Sequence, residues 1–270
     1  MLRKWLRRLC LVVIAVCLVV AAADLYSLWK EEREYDRLWG LASRQEEGSR
    51  RSEWDGEEGV DIAALQKLNP QCVGYISIKD TPLSYPVMLT TEEDGMFYLH
   101  HAFDRSYHGN GTPFLDMRCN VEDPSDNLIV YGHNTRNTKM FSCLRFYREQ
   151  EYFTEHPIIR FDHKNGGNYQ IFSVLFESLS DQNNRDIFAK IDRDPDHEEE
   201  WEEFLTYLKE HSLYDTGVEV ETTDKILTLS TCYRPIDNGR VLIFAKKVEE
   251  SPRTGDSSAS TTSPAQTAIH

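Results

Sequence analysis

The stretch Lys225-Ile-Leu-Thr-Leu-Ser-Thr-Cys232-Tyr-Arg-Pro235 is an apolar, β-branched run that ends in a cysteine and a proline-containing loop. Such a run predicts a strand, and the proline predicts that the strand has ended. A structural cysteine would fit anywhere inside the strand, whereas a cysteine at its end can be reached from the loop. Cys232 is therefore a candidate nucleophile, because a reactive thiolate must be accessible to its substrate.

Seven more runs of this kind accompany it, separated by turn residues. The eight runs are Val73–Ile78, Leu83–Met88, Thr112–Leu115, Asn127–Tyr131, Pro157–Phe161, Tyr169–Phe176, Lys225–Thr231 and Arg240–Val248. This many short strands predict a mainly β fold, an antiparallel-rich barrel or sandwich. Pro86 indicates an edge or a bulge in the second strand, because proline has no N–H to donate.

Two helices are predicted within this β region. A short helix spans residues 61–70, with Asp61 as its N-cap and Pro70 at its end. A longer helix precedes the cysteine strand, with Asp194 as its N-cap, Pro195 in its first turn and acidic residues near its positive end. Its apolar stripe, which we expect to pack on the barrel, consists of Trp201, Phe204, Leu205 and Leu208.

The N-terminus has the character of a membrane anchor. Residues 1–8 are basic, Leu9–Ala23 is uninterrupted apolar sequence, and apolar and aromatic residues continue to Trp29. Basic residues before the span and acidic ones after it predict a cytoplasmic N-terminus. We expect a single-pass protein of the cell membrane whose remaining chain is extracellular. A signal peptide cleaved near Ala23 is the alternative, and it leads to the same side of the membrane.

Composition assigns the other segments. Residues 30–60 are expected to form a helical, charged linker, 61–249 the folded extracellular domain and 250–270 a disordered tail rich in Ser, Thr, Pro and Ala. The formal net charge of −15 argues against nucleic-acid binding, because an acidic surface repels phosphates.

The remaining cysteines give no metal or disulfide signature. The six cysteines are irregularly spaced, with no C-x-x-C pair and no histidine cluster, so we expect no metal site. Cys72, Cys119 and Cys143 are expected as small core residues, and one disulfide among them stays open.

Two other residues could assist a cysteine nucleophile. His133 follows a strand that ends at Gly132, where its ring could serve in proton transfer. Arg240 follows Cys232 across an Asp-Asn-Gly turn, so antiparallel pairing of the flanking strands would place the two opposite each other. An arginine there could stabilise an oxyanion. Taken singly, each residue also has an ordinary structural interpretation.

Together the motifs resemble class B sortases over residues 61–248. The resemblance rests on Thr-Leu-Ser-Thr-Cys232, Tyr-Gly-His133-Asn and Gly-Arg240-Val-Leu-Ile-Phe-Ala-Lys, supported by Asn69-Pro70-Gln-Cys-Val-Gly-Tyr-Ile-Ser-Ile, Tyr85-Pro86-Val, Phe97-Tyr98-Leu-His-His-Ala-Phe103 and Gly111-Thr-Pro-Phe-Leu-Asp116. The long segment with a helix before the cysteine strand is the feature that resembles class B.

The resemblance implies an eight-stranded sortase-type β-barrel with N-terminal helices and one helix inserted before the cysteine-bearing strand. It implies a cysteine transpeptidase without a cofactor or metal. Cys232 would attack a threonine carbonyl in a C-terminal sorting motif of a secreted protein, His133 would serve as general acid and then base, and Arg240 would stabilise the oxyanion. Substrate-binding roles are expected for Ser230, Thr231 and Asn134. The acceptor amine would come from a cell-wall precursor or a pilin lysine.

One feature departs from the family pattern, and two segments resemble the sorting motifs of sortase substrates. Some class B members carry an acid just after the cysteine, where this chain has Tyr233 and Arg234. The Asn69-Pro-Gln segment resembles part of a sorting motif, but its place at a helix end indicates a role in the fold. The segment Ser251-Pro-Arg-Thr-Gly255 resembles a cleavable pentapeptide, without the apolar segment and basic tail of a true substrate.

Other functions stay open from sequence alone. A pilin polymerase would use the same fold with a lysine acceptor, although no obvious lid precedes the barrel. A tethered binding module without catalysis would not need Cys232. A general cysteine hydrolase would release its product to water even when amines are present.

Overall fold

Eight strands close into a barrel in the order β1-β2-β3-β4-β7-β8-β6-β5. The computed structural model describes residues 2–42, 60–135, 139–180 and 187–248. The strands are β1 Cys72–Ser77, β2 Ser84–Met88, β3 Phe114–Leu115, β4 Asn127–Tyr131, β5 Ile158–Asp162, β6 Gly167–Ser178, β7 Ile226–Cys232 and β8 Gly239–Val248. The α-helices are α1 Leu2–Ala42, α2 Ile62–Leu68, α3 Gln150–Glu155 and α4 Glu198–Glu210, and 3₁₀ helices span Phe97–Leu99, Phe141–Arg148 and Ile187–Ala189.

All eight predicted strands are confirmed. They form a closed barrel, which is one of the two predicted architectures, and not a sandwich. Two neighbouring pairs, β2–β3 and β4–β7, are parallel, whereas the other pairs are antiparallel. The irregularity in the first hairpin lies in β1, between Cys72 and Gly74, and Pro86 itself pairs regularly with Tyr75. The predicted bulge at Pro86 is therefore wrong, whereas the predicted edge agrees with the pairing, because β2 pairs with β3 only at Met88.

Strand β7 is buried along its first six residues because both of its faces are covered. Leu227 and Leu229 point into the main barrel core, while Ile226 belongs to a second cluster beneath α4. Thr228 is also buried, and its hydroxyl donates to the Asn127 side-chain oxygen at 2.7 Å. A strand buried on both faces lacks the regular alternation of buried and exposed residues that is seen where one face meets solvent.

Helix α4 packs on the barrel as predicted but begins later than predicted. Its four apolar side chains are buried against residues of β6 and β8 such as Phe172 and Phe244. The predicted N-cap, Asp194, instead closes a preceding turn, in which its side chain accepts from the Asp196 N–H at 2.9 Å and its carbonyl from the His197 N–H at 3.0 Å. The helix therefore starts at Glu198, with His197 as its N-cap.

Helix α1 joins the N-terminal apolar stretch to the barrel. Trp5–Ala23 is 19 residues long with a mean hydropathy of 2.4, and it is the one helical stretch among the described residues that is long and apolar enough to cross a membrane. Further along α1, Leu38 is fully buried, and the Trp39 ring lies 5.3 Å from that of Tyr75. The end of α1 is therefore packed against the folded domain.

The start of the domain is fixed by α2 and the segment after it. Asp61 caps α2 as predicted, accepting from the Ala64 N–H at 3.0 Å. Asn69 is buried, and its amide donates to the Phe103 carbonyl at 2.6 Å and the Tyr98 hydroxyl at 3.0 Å. These bonds confirm that the Asn69-Pro-Gln segment serves the fold.

The cysteines, all six of which lie within the described ranges, form no disulfide. Cys72, Cys119 and Cys143 are free and buried, which confirms them as core residues. Most of the predicted linker (43–59) and the whole segment Ser251–Gly255 lie outside the described residues.

Candidate active site

Three strand ends converge around Cys232. In the parallel pair β4–β7, Tyr131 lies opposite Ser230, so the chain that continues to His133 runs beside the chain that continues to Cys232. On the other side, Cys232 pairs directly with Arg240 of β8. The predicted cysteine, histidine and arginine are thus brought to the same end of the barrel.

Cys232 is the exposed terminus of an otherwise buried strand. The first six residues of β7 are buried and the seventh, Cys232, is exposed. The tight loop after it closes through a bond from the Tyr233 N–H to the Gly239 carbonyl at 2.8 Å, and Asn238 takes a left-handed conformation with φ of 49°. This loop and Cys232 line a shallow cavity of about 280 Å³, so the thiol can be reached from solvent.

His133 is held by a backbone carbonyl. Its Nε2 lies 2.8 Å from the Leu99 oxygen. A carbonyl oxygen can only accept, so we assign the hydrogen of the neutral ring to Nε2, and Nδ1 is then the nitrogen left to exchange a proton.

The surroundings of His133 favour its neutral form. Burial lowers the pKa of His133, the hydrogen bond to Leu99 opposes that shift, and the nearby His100 and Arg234 lower the pKa further. The His100 ring lies 5.7 Å from that of His133. A neutral imidazole at the same end of the barrel as Cys232 is able to act as a base.

Arg240 lines the cavity at Cys232 and also a larger groove of about 410 Å³ beside it. One guanidinium nitrogen donates to the Gly239 carbonyl at 3.0 Å. The other residues that line the larger groove are Asp94, Gly95, Met96, Phe114, Asp116, Met117, Arg118, Tyr131, Leu179 and Phe188. A groove of this size that reaches Arg240 could accept an extended peptide next to the thiol.

A partly buried ion pair supports that groove. Asp116 accepts two bonds from the Arg118 guanidinium, both at 2.8 Å, one from the Arg118 backbone N–H at 3.0 Å and one from the Tyr131 hydroxyl at 2.9 Å. Burial alone would raise the pKa of Asp116, but these donors hold it below its usual value. Arg118 also donates to the Phe188 carbonyl at 2.8 Å, so it ties the β6–β7 connection to the barrel.

The predicted substrate-binding residues lie at the strand ends. Ser230 and Thr231 are each only 2% exposed, and the Thr231 hydroxyl donates to the Gly132 carbonyl at 2.7 Å. Asn134 donates to the Cys232 carbonyl at 2.9 Å. These contacts favour a positioning role for Thr231 and Asn134, and the contact of all three residues with substrate stays a prediction.

Tyr233, which stands directly after the cysteine where some class B members carry an acid, has a hydrogen-bond partner in the structure. The Tyr233 hydroxyl accepts from Arg148 at 2.9 Å, and Asp237 lies exposed in the turn, its carbonyl accepting from the Ser178 hydroxyl at 2.6 Å. Among the described residues, no group of three His, Cys, Asp or Glu side chains is arranged to hold a metal ion.

Sequence reasoning misses two parts of the site. The Leu99 carbonyl has no side-chain signal, because any residue supplies a backbone oxygen. In the sequence, Asp116 stands out only as the end of a family motif, and its Asp-x-Arg spacing with Arg118 is the signal that could reveal the ion pair.

Comparison with known proteins places this geometry in a family. A search of protein-family models finds no match. The chain is 32% identical over 198 residues to Sortase B of Listeria monocytogenes, covering 72% of this chain and 76% of the relative. The solved structure of a Staphylococcus aureus sortase B–substrate complex is similar with a TM-score of 0.69 and 28% identity, covering 84% of this chain and 99% of that one. A sortase B complexed with triglycine is similar with a TM-score of 0.67 and 28% identity, covering 83% and 97%.

Proposed function

Because the chain belongs to the sortase B family and is a cysteine transpeptidase of that type, we propose that it cleaves a sorting motif after threonine and transfers the acyl group to a cell-wall amine. The observation that carries the proposal is the exposed Cys232 between Arg240, its cross-strand partner, and the strand end that bears His133. The secreted substrate proteins would carry the motif near their C-termini.

The first half-reaction forms a thioacyl enzyme. His133 takes the thiol proton of Cys232, and the sulfur attacks the threonine carbonyl. Arg240 donates to the oxyanion that develops on the carbonyl oxygen. The C–N bond then breaks, and the imidazolium returns its proton to the leaving amine.

The second half-reaction transfers the acyl group. An incoming primary amine attacks the thioester while neutral His133 removes one of its protons, and the sulfur leaves as the new amide forms. The related sortase B complexed with triglycine supports a peptide amine as the acceptor class. No step needs a redox centre or a metal, because sulfur, imidazole and guanidinium supply the nucleophile, the acid–base group and the charge.

The N-terminal helix supports anchoring in the cell membrane. Trp5–Ala23 has the length and hydropathy of a span, and the basic residues before it favour a cytoplasmic N-terminus. The barrel would then lie outside the cell, where secreted substrates emerge beside it.

Mass spectrometry of the full chain in detergent tests this function. The protein is incubated with a pool of candidate motif peptides, with and without triglycine or a lysine peptide, and Cys232→Ala is the matched control. We expect a thioacyl adduct on Cys232 and an amide product that forms at the expense of acid when triglycine is added.

Other outcomes would redirect the assignment. Product formed only with the lysine peptide would identify a pilin polymerase, and product unaffected by any amine would identify a hydrolase. Unchanged turnover by Cys232→Ala would refute the mechanism.

A further inference from the structure

The loop that holds His133 is itself shaped by a close backbone contact. Gly111 has a φ of +59°, and a Cβ added there would lie 2.4 Å from both the Leu99 and Tyr98 carbonyl oxygens. The next residue, Thr112, donates its N–H to the Tyr98 carbonyl at 2.9 Å. Gly111 therefore packs directly behind the carbonyl that binds the imidazole.

The end of α1 closes on this contact from the outside. The Tyr35 hydroxyl lies 3.3 Å from the Gly111 carbonyl, to which it donates, and 3.3 Å from the Thr112 hydroxyl. The Thr112 hydroxyl in turn donates to the His101 carbonyl at 3.1 Å. One tyrosine of α1 thus contacts the two residues, Gly111 and Thr112, that pack against the segment carrying the Leu99 oxygen.

Tyr35 also reaches the second segment around His133. Its ring packs edge-on against Tyr85, with 4.9 Å between centroids, and the Tyr85 hydroxyl accepts from the Met140 N–H at 3.2 Å. The adjoining Phe141 donates its N–H to the His133 carbonyl at 3.0 Å. Tyr35 therefore contacts two segments around His133: the one that packs against the Leu99 carbonyl, and, through Tyr85, the one that bonds the His133 carbonyl.

We propose that the end of α1 is a positioning element for His133, in which Tyr35 braces Gly111 and Leu99 so that the ring keeps Nε2 on the Leu99 carbonyl and Nδ1 free for proton transfer. The catalytic part rests on the proposed function, whereas the effect on ring geometry does not. Turnover would then depend on the same helix that continues into the apolar N-terminal stretch.

The test uses Tyr35→Phe in the full chain in detergent micelles, because this change removes only the hydroxyl. The matched control is Arg37→Gln, an exposed residue of the same helix whose guanidinium donates to Glu34 one turn earlier. We expect kcat to fall about 3- to 10-fold, the loss that corresponds to one hydrogen bond, with KM unchanged. The control should retain full turnover.

Selective ¹⁵N labelling of histidine rings provides a readout that does not need activity. We expect the His133 signals of the parent protein to report an Nε2-protonated ring, and Tyr35→Phe to shift them toward a mixture of tautomers. His133→Ala assigns the signals and also tests the catalytic role. Retained turnover in His133→Ala would refute the proposed function while leaving the brace open to the spectral test.

Gly111→Ala is the stronger perturbation, with Gly109→Ala as its control because a Cβ at Gly109 meets nothing within 4 Å. We expect Gly111→Ala to change the His133 signals more than Tyr35→Phe does, provided that circular dichroism shows a folded barrel. If Gly111→Ala fails to fold, Tyr35→Phe decides alone. Unchanged His133 signals and unchanged kcat in Tyr35→Phe would overturn the proposal.

Discussion

Cys232 is reachable because the burial of β7 changes at one residue. Thr231 beside it is 2% exposed and bonded to Gly132, while Cys232 faces the rim with its carbonyl bonded to Asn134. The sequence predicts the cysteine and its exposure, since the apolar run stops there. The Asn134 contact joins residues 98 positions apart in the chain, and no local pattern encodes it.

At the residue scale, Arg240 is expected to require the geometry of arginine. In Arg240→Ala, kcat should fall about 10²- to 10³-fold, the usual effect of losing an oxyanion donor. In Arg240→Lys most of this loss should persist, because an ammonium cannot reproduce the forked guanidinium. Steady-state kinetics of both variants measure the effect. Arg160→Lys, whose side chain pairs with Asp162 on β5, is the control, and a fully active Arg240→Lys would contradict the assignment.

The Asn134 contact gives a second prediction at this scale. Asn134→Ala removes the donor to the Cys232 carbonyl, and we expect the rate of thioacyl formation to fall about 3- to 10-fold. Asn134→Asp should be slower still, because its carboxylate would face a carbonyl oxygen instead of bonding to it. Single-turnover mass spectrometry measures both rates, and an Asp variant faster than the Ala variant would rule out this role.

At the scale of elements, sequence patterns locate the strands better than their partners. The eight runs match eight strands because branched apolar residues suit a pleated, buried surface. The parallel pairs β2–β3 and β4–β7 have no signal in the sequence, since their register depends on packing between distant segments. The helix α4 starts later than predicted. An aspartate side chain can accept a backbone N–H bond in a turn as well as at a helix N-terminus, and Asp194 does so in the turn before α4.

The β6–β7 connection is expected to depend on Arg118. Arg118→Lys keeps a positive charge near Asp116 but loses the fork that also bonds the Phe188 carbonyl. We expect KM for motif peptides to rise about 3- to 10-fold with a smaller change in kcat, because the connection lines the groove. Kinetics and limited proteolysis of the connection measure this. Arg145→Lys is the control, because Arg145 stacks over the Phe146 ring and is not among the residues that line the groove. An Arg118→Lys variant with unaltered KM and unaltered proteolysis of the connection would show that Arg118 does not hold the connection in place.

At the scale of the whole molecule, acid should weaken the barrel through His163. Burial, and then the charge of Lys247, lower the pKa of His163 to about 4, below the value of about 6.5 expected in the unfolded chain. The unfolded state therefore binds a proton first as the pH falls. The stabilising contribution is complete above about pH 6.5 and is lost progressively down to about pH 4, on the order of 3 kcal/mol.

Urea unfolding between pH 7 and pH 4 measures this loss. The depressed pKa of His133 acts with the same sign, so the comparison of the parent protein with His163→Gln isolates one group. We expect the variant to show a shallower decline of the unfolding free energy with falling pH. Parallel curves for the two proteins would exclude His163 as the source.

The parallel pairing of β4 with β7 also determines when the chain becomes reactive. Gly132 and Thr231, which this pairing joins, are 99 positions apart. During synthesis from the N-terminus, the imidazole is made long before the thiol and the guanidinium. Under the proposed mechanism, a partly synthesised chain therefore has no assembled catalytic centre, and acyl transfer would begin only after the last two strands have closed the barrel.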